Sequence, residues 1–425
     1  MTRYISSACR CSFAISLGIN LLFASSGVSA EEKSEAPLLQ FHTTLKLETW
    51  SLRNKSLRKG EKRENEQKRE PLARLRVDVA KKRPLYGVLE LELTDKTTRE
   101  SGEKKQNQTK LDLTQAYIGA NIDALNSDLR MGRWLYRDER EWLFDENMDG
   151  VLLHWKKGDW RGDVLGARIN YWQRDLLDRA TRNTGNASTI ATNLRFKIDN
   201  KWLAGGYVVM SKNTHDDGYH QYHYGLRSHN EQSRGLRHWA ELGLMEGKNE
   251  SGRHRGYAFD LGATWVFDHD LRSRITLGYA LASQHYRQTG LQSNEATFGG
   301  ETKFSIYGNT LAPELANLQI LSAGIGLDIT PDSGLDLVYH HYRQTRMDDF
   351  GIHDPELKSR YDRRNTHRLG EGIDLIWGLE VTDNLKTELL LGMFLPSKRF
   401  RSGSGDDAPR SSPAYSVGFE AELKF

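Results

Sequence analysis

Hydrophobic and polar residues alternate along most of this chain with a period of two, and residues 415–425 give the clearest example. Tyr, Val, Phe, Ala, Leu and Phe occupy every second position there, with Ser, Gly, Glu and Lys between them. This alternation predicts a β-strand with one apolar and one polar face. A final aromatic residue on such a strand is typical of outer-membrane barrels, whose apolar face contacts lipid while the polar face lines a lumen.

Similar segments recur to the end of the chain, and their number predicts the fold. We expect an all-β protein, a transmembrane antiparallel β-barrel of the outer-membrane type with about 18 strands, an even count in the range of wide porins. The predicted strands are residues 41–50, 72–80, 85–94, 111–122, 129–135, 151–155, 162–172, 190–198, 202–210, 222–228, 236–245, 257–267, 274–285, 315–329, 335–342, 373–381, 385–395 and 415–425.

The connections between these segments alternate between long, charged stretches and brief turns. Long loops on one side and short turns on the other are expected of an outer-membrane barrel. A soluble β-rich protein is the alternative, but it has no reason to alternate so regularly. The predicted long connections are residues 51–71, 95–110, 136–149, 173–189, 286–314, 344–370 and 396–414, with short turns such as residues 81–84, 123–126 and 382–384 between them.

The amino-terminal residues predict export. Residues 1–30 combine Arg3 and Arg10, a short apolar run and a small-residue cleavage site, which is the pattern of a cleaved signal peptide. We therefore expect one domain, the barrel, over residues 31–425. Without Arg3 and Arg10 the chain keeps 58 of its 60 basic residues against 57 acidic ones, so any attraction of anions must come from arrangement and not from net charge.

The period of two also assigns faces to charged residues. A charge facing lipid near the membrane centre costs a few kcal/mol, so charged residues within strands are expected to face the lumen. The basic residues assigned to the lumen in this way are Lys46, Arg74, Arg76, Arg168, Arg195, Lys197, Arg237 and Lys386. Aromatic residues near strand ends are expected to form the interfacial girdles, and they are Trp50, Trp155, Trp172, Trp202, Tyr257, Trp265 and Tyr415.

Two segments of the chain resemble the alginate export porins, a family of 18-stranded outer-membrane barrels. The first is YRQTGLQSN at residues 286–294, followed by ELANLQ at 314–319 and LVYH at 337–340. The second is LRMGR at residues 129–133, with Arg137 and Trp142 downstream, and FLP at 394–396 is a weaker match.

The resemblance implies a passive channel in which Arg and Lys side chains attract a polyuronate and offset the desolvation of its carboxylates. Lys46, Arg74 or Arg76, Arg133 and Lys303 correspond to basic positions of the family. Other basic positions of the family are replaced here, by Gln115, by Glu295, by Leu390 or Glu388, and by Leu135 unless Arg137 takes that role. The short turn at residues 382–384 replaces a long periplasmic loop. Arg168, Arg195 and Arg237 are then candidates to rebuild the basic ring.

The predicted function is export of an anionic exopolysaccharide, with alginate the first candidate. The alternative is a diffusion porin for small anionic solutes or a less charged polysaccharide. The expected partners are that polymer, outer-membrane lipid and lipopolysaccharide, and a periplasmic scaffold, with no nucleic acid and a monomeric barrel. An enzyme is not expected, because no nucleophile elbow, zinc spacing or phosphate cradle occurs. We predict no cofactor and no metal.

Simpler interpretations accompany several of these residues. Lys46, Arg74 and Arg76 could only pair with acidic residues on neighbouring strands. The histidine-rich residues 215–223 fit a polar loop better than a metal site. Residues 145–150 lack the closing Glu of a calcium loop. The basic residues 53–69 fit a solvated outer loop that could contact lipopolysaccharide phosphates.

Overall fold

A computed structural model describes residues 37–58, 63–178, 187–213, 220–249, 252–300, 302–347, 357, 360–361, 367–397, 400–401 and 411–425. The predicted signal peptide, residues 1–30, and residues 215–219 of the histidine-rich stretch lie outside this part of the chain. In the described part, no helix is long and apolar enough to cross a membrane.

Eighteen long strands form one antiparallel sheet that closes on itself. Each strand pairs with its neighbours in the chain, and the last strand pairs with the first. The strands are β1 (Leu39–Arg53), β2 (Glu66–Val79), β3 (Leu85–Glu100), β4 (Gln106–Ile122), β5 (Ser127–Arg137), β6 (Asp145–Lys157), β7 (Trp160–Ile169), β8 (Ala187–Lys197), β9 (Trp202–Asn213), β10 (His220–Asn230), β11 (Gly235–Asn249), β12 (Gly252–Val266), β13 (Arg274–Ala282), β14 (Leu318–Thr330), β15 (Ser333–Gln344), β16 (Arg368–Thr382), β17 (Leu385–Pro396) and β18 (Ala414–Lys424).

Closure joins the two ends of the sheet directly. β18 pairs with β1 from Lys424 opposite Thr44 to Tyr415 opposite Arg53. The Phe425 amide also donates to the Thr43 carbonyl at 2.9 Å. The sheet has no free edge at this seam, which a barrel in a water-free bilayer core requires.

The predicted fold class is confirmed, and each predicted strand corresponds to one observed strand. The prediction of a long loop at residues 95–110 is wrong, because β3 continues to Glu100 and β4 begins at Gln106. Likewise β1 and β2 extend into the predicted loop at residues 51–71. Beyond the membrane both faces of a strand contact water, so the alternation that marks a strand in the sequence is lost there.

Alternation along each strand separates a lipid-facing surface from the lumen. On β2, Leu75 and Val79 are exposed, whereas Asp78 is buried inside. On β12, Leu261 is exposed halfway between the exposed aromatic residues Tyr257 and Trp265, while Asp260 is buried. The two aromatic residues mark the two membrane interfaces, so Leu261 lies near the bilayer centre.

This depth assignment can be tested by placing a charge on the outer face of β12. Leu261→Arg should lower the free energy of unfolding from vesicles by about 2–4 kcal/mol, and Phe267→Arg, beyond the Trp265 girdle, by only about 0–1 kcal/mol. Urea titration followed by tryptophan fluorescence measures both values. Equal losses in the two variants would contradict the position of the membrane.

Candidate functional site: a charged constriction in the lumen

Among the described residues, those of two connections fold back into the lumen instead of continuing outward. The short inward loop, residues 138–144, joins β5 to β6, and the long inward segment, residues 283–300 and 302–317, joins β13 to β14. Their aromatic side chains are buried, and Trp142 and Tyr286 stack with ring centroids 6.3 Å apart. The Trp142 indole donates a 2.8 Å hydrogen bond to the Tyr307 hydroxyl, which joins the two connections.

The long inward segment is attached to the inner wall far from its own ends. The Thr310 and Ser416 hydroxyl groups lie 2.7 Å apart, which connects the segment to β18. The Asn309 amide donates to a carboxylate oxygen of Asp374 on β16 at 3.2 Å. The segment therefore crosses the lumen from β13 towards β18 and narrows it.

A buried ion-pair cluster holds the short inward loop against the wall formed by β8, β10 and β11. The Arg227 guanidinium contacts Asp138 and Glu139 of the loop, both at 3.1 Å, and Glu241 of β11 at 3.2 Å. Arg195 of β8 adds a 2.6 Å contact to Glu139. Burial alone would raise the pKa of Glu139, but the two guanidinium groups outweigh burial and hold this pKa at about 2. The Glu139 carboxylate therefore stays ionised and the loop stays anchored.

The rim of the inward segments carries charges of both signs. Lys303 contacts Glu141 at 2.5 Å, and Arg137 contacts the same carboxylate at 3.1 Å and Asp145 at 2.6 Å. The Arg137 and Lys303 side chains are each nearly half exposed to the lumen, whereas Glu141 is buried. Cations of this rim are therefore accessible to a passing solute, with carboxylates immediately behind them.

Glu295 lies on the same rim, where part of the residue surface is open but the surrounding protein desolvates its carboxyl group. The low polarity of its surroundings and the carboxylates of Glu141 and Asp145 raise the pKa of Glu295 to about 7, against the opposing effect of Lys303 and Lys46. Since Lys46 is among the charges that act on Glu295, the rim lies close to β1. Glu295 can therefore change its charge near neutral pH beside the basic residues of the rim and the wall.

The wall formed by β1–β3 and β18 carries a ladder of ion pairs. These pairs join Lys46 to Glu420 at 2.9 Å, Arg74 to Glu92 at 2.6 Å, and Arg76 to Asp78 at 2.9 Å. The basic side chains remain 22–38% exposed. Lys46, Arg74 and Arg76 are therefore paired with acidic residues of the wall, as the simpler interpretation predicts. Part of each basic side chain is nevertheless exposed to the lumen.

Arg133 does not line the open lumen, in contrast to its predicted position. Its side chain is 1% exposed and forms two bonds to Asp149, at 2.6 and 2.8 Å. It also donates to the carbonyl groups of Leu113 at 2.9 Å and Trp172 at 2.6 Å. Arg133 therefore fastens the connection after β7 to β4 and β5, and its donors are already used.

Arg168 was predicted in the lumen and lies instead on the outer face of β7. It shares that face with the exposed Val164, and its guanidinium lies over the Tyr171 ring at 5.2 Å. The expectation that strand charges face inward fails here because Arg168 is at the end of the strand, beyond the hydrocarbon region. Arg195 faces inward, but its guanidinium is bound within the buried ion-pair cluster. Arg237 lines a small cleft of about 120 Å³ inside the barrel.

Two larger clefts lie at opposite ends of the lumen and differ in charge. The inner cleft, about 440 Å³, adjoins the short turns and has five Lys and Arg residues against three Asp residues, with Arg83 and Arg161 among them. The outer cleft, about 630 Å³, adjoins the long connections and has five acidic residues against three basic ones, with Asp112 and Asp175 among them. The lumen is therefore electrostatically asymmetric along its axis.

Sequence reasoning missed Arg227, Arg140 and Glu141. Arg227 follows the exposed Leu226 on β10, so the period of two alone would have placed it inside. Arg140 and Glu141 belong to a connection without periodicity, and no sequence pattern indicates that this connection enters the lumen.

Comparisons with known proteins agree with this geometry. A family model described as alginate export matches residues 38–412. The alginate production protein AlgE of Azotobacter vinelandii is 28% identical over 176 residues, which cover 34% of this chain and 36% of the relative. AlgE of Pseudomonas aeruginosa is 31% identical over 108 residues, or 24% of this chain and 21% of the relative. The matched segments thus span about a third and a fifth of these relatives.

Solved porins of Pseudomonas aeruginosa share the architecture. OccK7 (OpdD) superposes with a TM-score of 0.57 at 10% identity, covering 91% of this chain and 99% of the porin. OccK5 (OpdH) gives a TM-score of 0.55 at 10% identity, covering 91% of this chain and 98% of the porin. At such low identity the likeness concerns the fold alone, an antiparallel barrel like those of outer-membrane porins. With the family match across almost all of the barrel, this chain belongs to the alginate export family.

Proposed function

We propose that this barrel lets an anionic polysaccharide cross the outer membrane by passive diffusion, with alginate the first candidate. The observation that carries the proposal is the constriction itself. Lys303 on the long inward segment and Lys46 on β1 both act electrostatically on Glu295, so cations from the segment and from the wall lie close to one carboxylate. The Lys303 and Lys46 side chains remain 45% and 22% exposed. Arg74 and Arg76 continue the basic surface along β2. The relatives' name, alginate production protein, supports the same class of polymer.

Paired cations suit a threading polymer. A polyuronate carboxylate can replace the wall carboxylate bound to Lys46 or Arg74, and an Arg guanidinium can receive it with two parallel hydrogen bonds. Because one ion pair is exchanged for another, the polymer is held without being trapped, and a channel needs sites that are favourable to enter and weak enough to leave. The wall pairs are therefore compatible with transport and also stabilise the empty pore.

The difference between the two clefts supports outward passage. The basic inner cleft raises the local concentration of a polyanion at the periplasmic end. The acidic outer cleft disfavours its retention at the outer end. A periplasmic scaffold that delivers the polymer belongs to this proposal, as does a barrel that acts as a monomer.

A second candidate is a diffusion porin for small anionic solutes or a less charged polysaccharide. It is favoured by the carboxylates of the constriction, since Glu295 and Glu420 lie beside the cations and the buried Glu141 lies immediately behind them. The two candidates differ in polymer binding, because a threaded polymer bridges several cations at once whereas a small solute contacts one or two.

Current block in planar bilayers separates these candidates. Oligouronate should block the wild-type current, and replacing both Arg74 and Arg76 by Ala should weaken the block by about tenfold or more, because charge-assisted hydrogen bonds are lost. A matched control, Arg168→Ala with Arg255→Ala, removes two guanidinium groups from the outer face and should leave the block unchanged. A wild-type channel that prefers cations and is not blocked by oligouronate would overturn the export proposal. An unchanged reversal potential in the double Ala variant would mean that Arg74 and Arg76 only form ion pairs within the wall.

The ion preference of the pore should depend on pH through Glu295. Its raised pKa, about 7, means that this carboxyl is mostly neutral at pH 6 and mostly charged at pH 8. Anion preference should therefore rise as the pH falls through 7. Glu295→Gln should fix the reversal potential near its low-pH value throughout this range. If the variant titrates like the wild type, another group controls the pore.

A further inference from the structure

The outer face of strands β7–β12 carries a row of polar side chains that is independent of the lumen. Residues directly opposite each other in paired strands point to the same face of the sheet. The register of the sheet places six such residues side by side, one on each strand. They are Arg168, Ser188, Lys212, His220, Lys248 and Arg253, in order from β7 to β12.

This row borders the apolar belt of the barrel on the side of the long connections. On β9, Lys212 is the next outward residue after Met210, which is 45% exposed. On β11, Lys248 lies two outward positions beyond Leu244, which is 47% exposed. On β12, Arg253 lies two outward positions beyond Tyr257. The basic residues therefore begin where the apolar surface ends.

The charge of this surface is strongly one-sided. Outward positions in the described part of β7–β12 include five basic residues and one acidic residue, Glu246, which contacts Arg255 at 3.3 Å. The acidic residues Asp163, Glu241 and Asp260 of the same strands are buried inside the barrel. A barrel needs no basic row on its outer face to close or to fold, and basic residues beside a lipid surface attract anionic head groups.

The spacing of the row fits phosphate groups at a membrane surface. Adjacent strands lie about 4.7–4.9 Å apart, so Arg168, Lys212 and Lys248, on alternate strands, are spaced by roughly 10 Å. Guanidinium groups bind phosphate with two hydrogen bonds and ammonium groups bind it as point charges. The apolar belt directly below would receive acyl chains, which a free phosphate does not have.

We propose that the outer face of β7–β12 is a binding site for a phosphorylated glycolipid of the outer leaflet. Its phosphate groups would contact Arg168, Lys212, Lys248 and Arg253, and its acyl chains would pack on the belt that contains Met210 and Leu244. The site is separate from the pore, so it holds whichever solute passes through the lumen.

The full-length barrel in detergent micelles provides the test, with bisphosphorylated lipid A as the probe and native mass spectrometry as the readout. Replacing Lys212, Lys248 and Arg253 together by Gln should weaken binding on the order of a hundredfold, since each basic residue near a lipid surface contributes about fivefold. Lipid A without phosphates should bind the wild type at least about tenfold more weakly, and inorganic phosphate should not compete.

A charge-matched control removes two lysines and one arginine at the opposite end of the barrel. Lys157→Gln with Lys201→Gln and Arg234→Gln should change the affinity for lipid A less than about twofold. Equal losses in the two triple variants, or equal affinity of the wild type for phosphatidylglycerol and lipid A, would overturn the site. Heat-modifiable migration of each variant in gel electrophoresis verifies that the barrel is folded, and the single variant Lys212→Gln repeats the test if a triple variant does not fold.

Discussion

The absence of water in the bilayer core is the constraint on which the rest of this structure depends. Every backbone N–H and C=O group within the core must find a partner in the protein, and a sheet achieves this only by closing. The pairing of β18 with β1, extended by the Phe425 and Thr43 backbone bonds, completes that closure. Closure in turn creates a lumen, and this lumen is the only polar environment available to the charged side chains of the spanning strands.

The inward connections then fill part of the wide lumen that closure creates. They remain inside because buried polar contacts fasten them to the wall, with Arg227 bound to Asp138 and Glu139, and Thr310 bound to Ser416. A single missing partner in the Arg227 cluster would leave a buried charge uncompensated, which is costly. The same connections bring Lys303 and Glu295 close to Lys46, so the solute contacts proposed above depend on the same anchoring.

The fold was largely predictable because lipid on one side and water on the other impose a strict period of two. That rule failed where its cause is absent. At residues 95–110 both faces of the strands contact water. The alternation is lost there, so the sequence predicts a loop where β3 and β4 continue. At Arg168 the strand has left the hydrocarbon region, so an outward charge is tolerated. Lys46, Arg74 and Arg76 were placed correctly inside, yet their alternation could not indicate how much of each side chain stays exposed.

The alternation of residue types is enough to specify the barrel, the number of its strands and the face of most spanning residues, because each follows from a local pattern against a fixed environment. The entry of two connections into the lumen, the anchoring roles of Arg133 and Arg195, and the proximity of Glu295 to Lys46 depend on the folded chain. These contacts join residues far apart in the chain, and no local pattern encodes them. The outer basic row likewise exists only through strand register, which aligns residues from six separate strands into one surface.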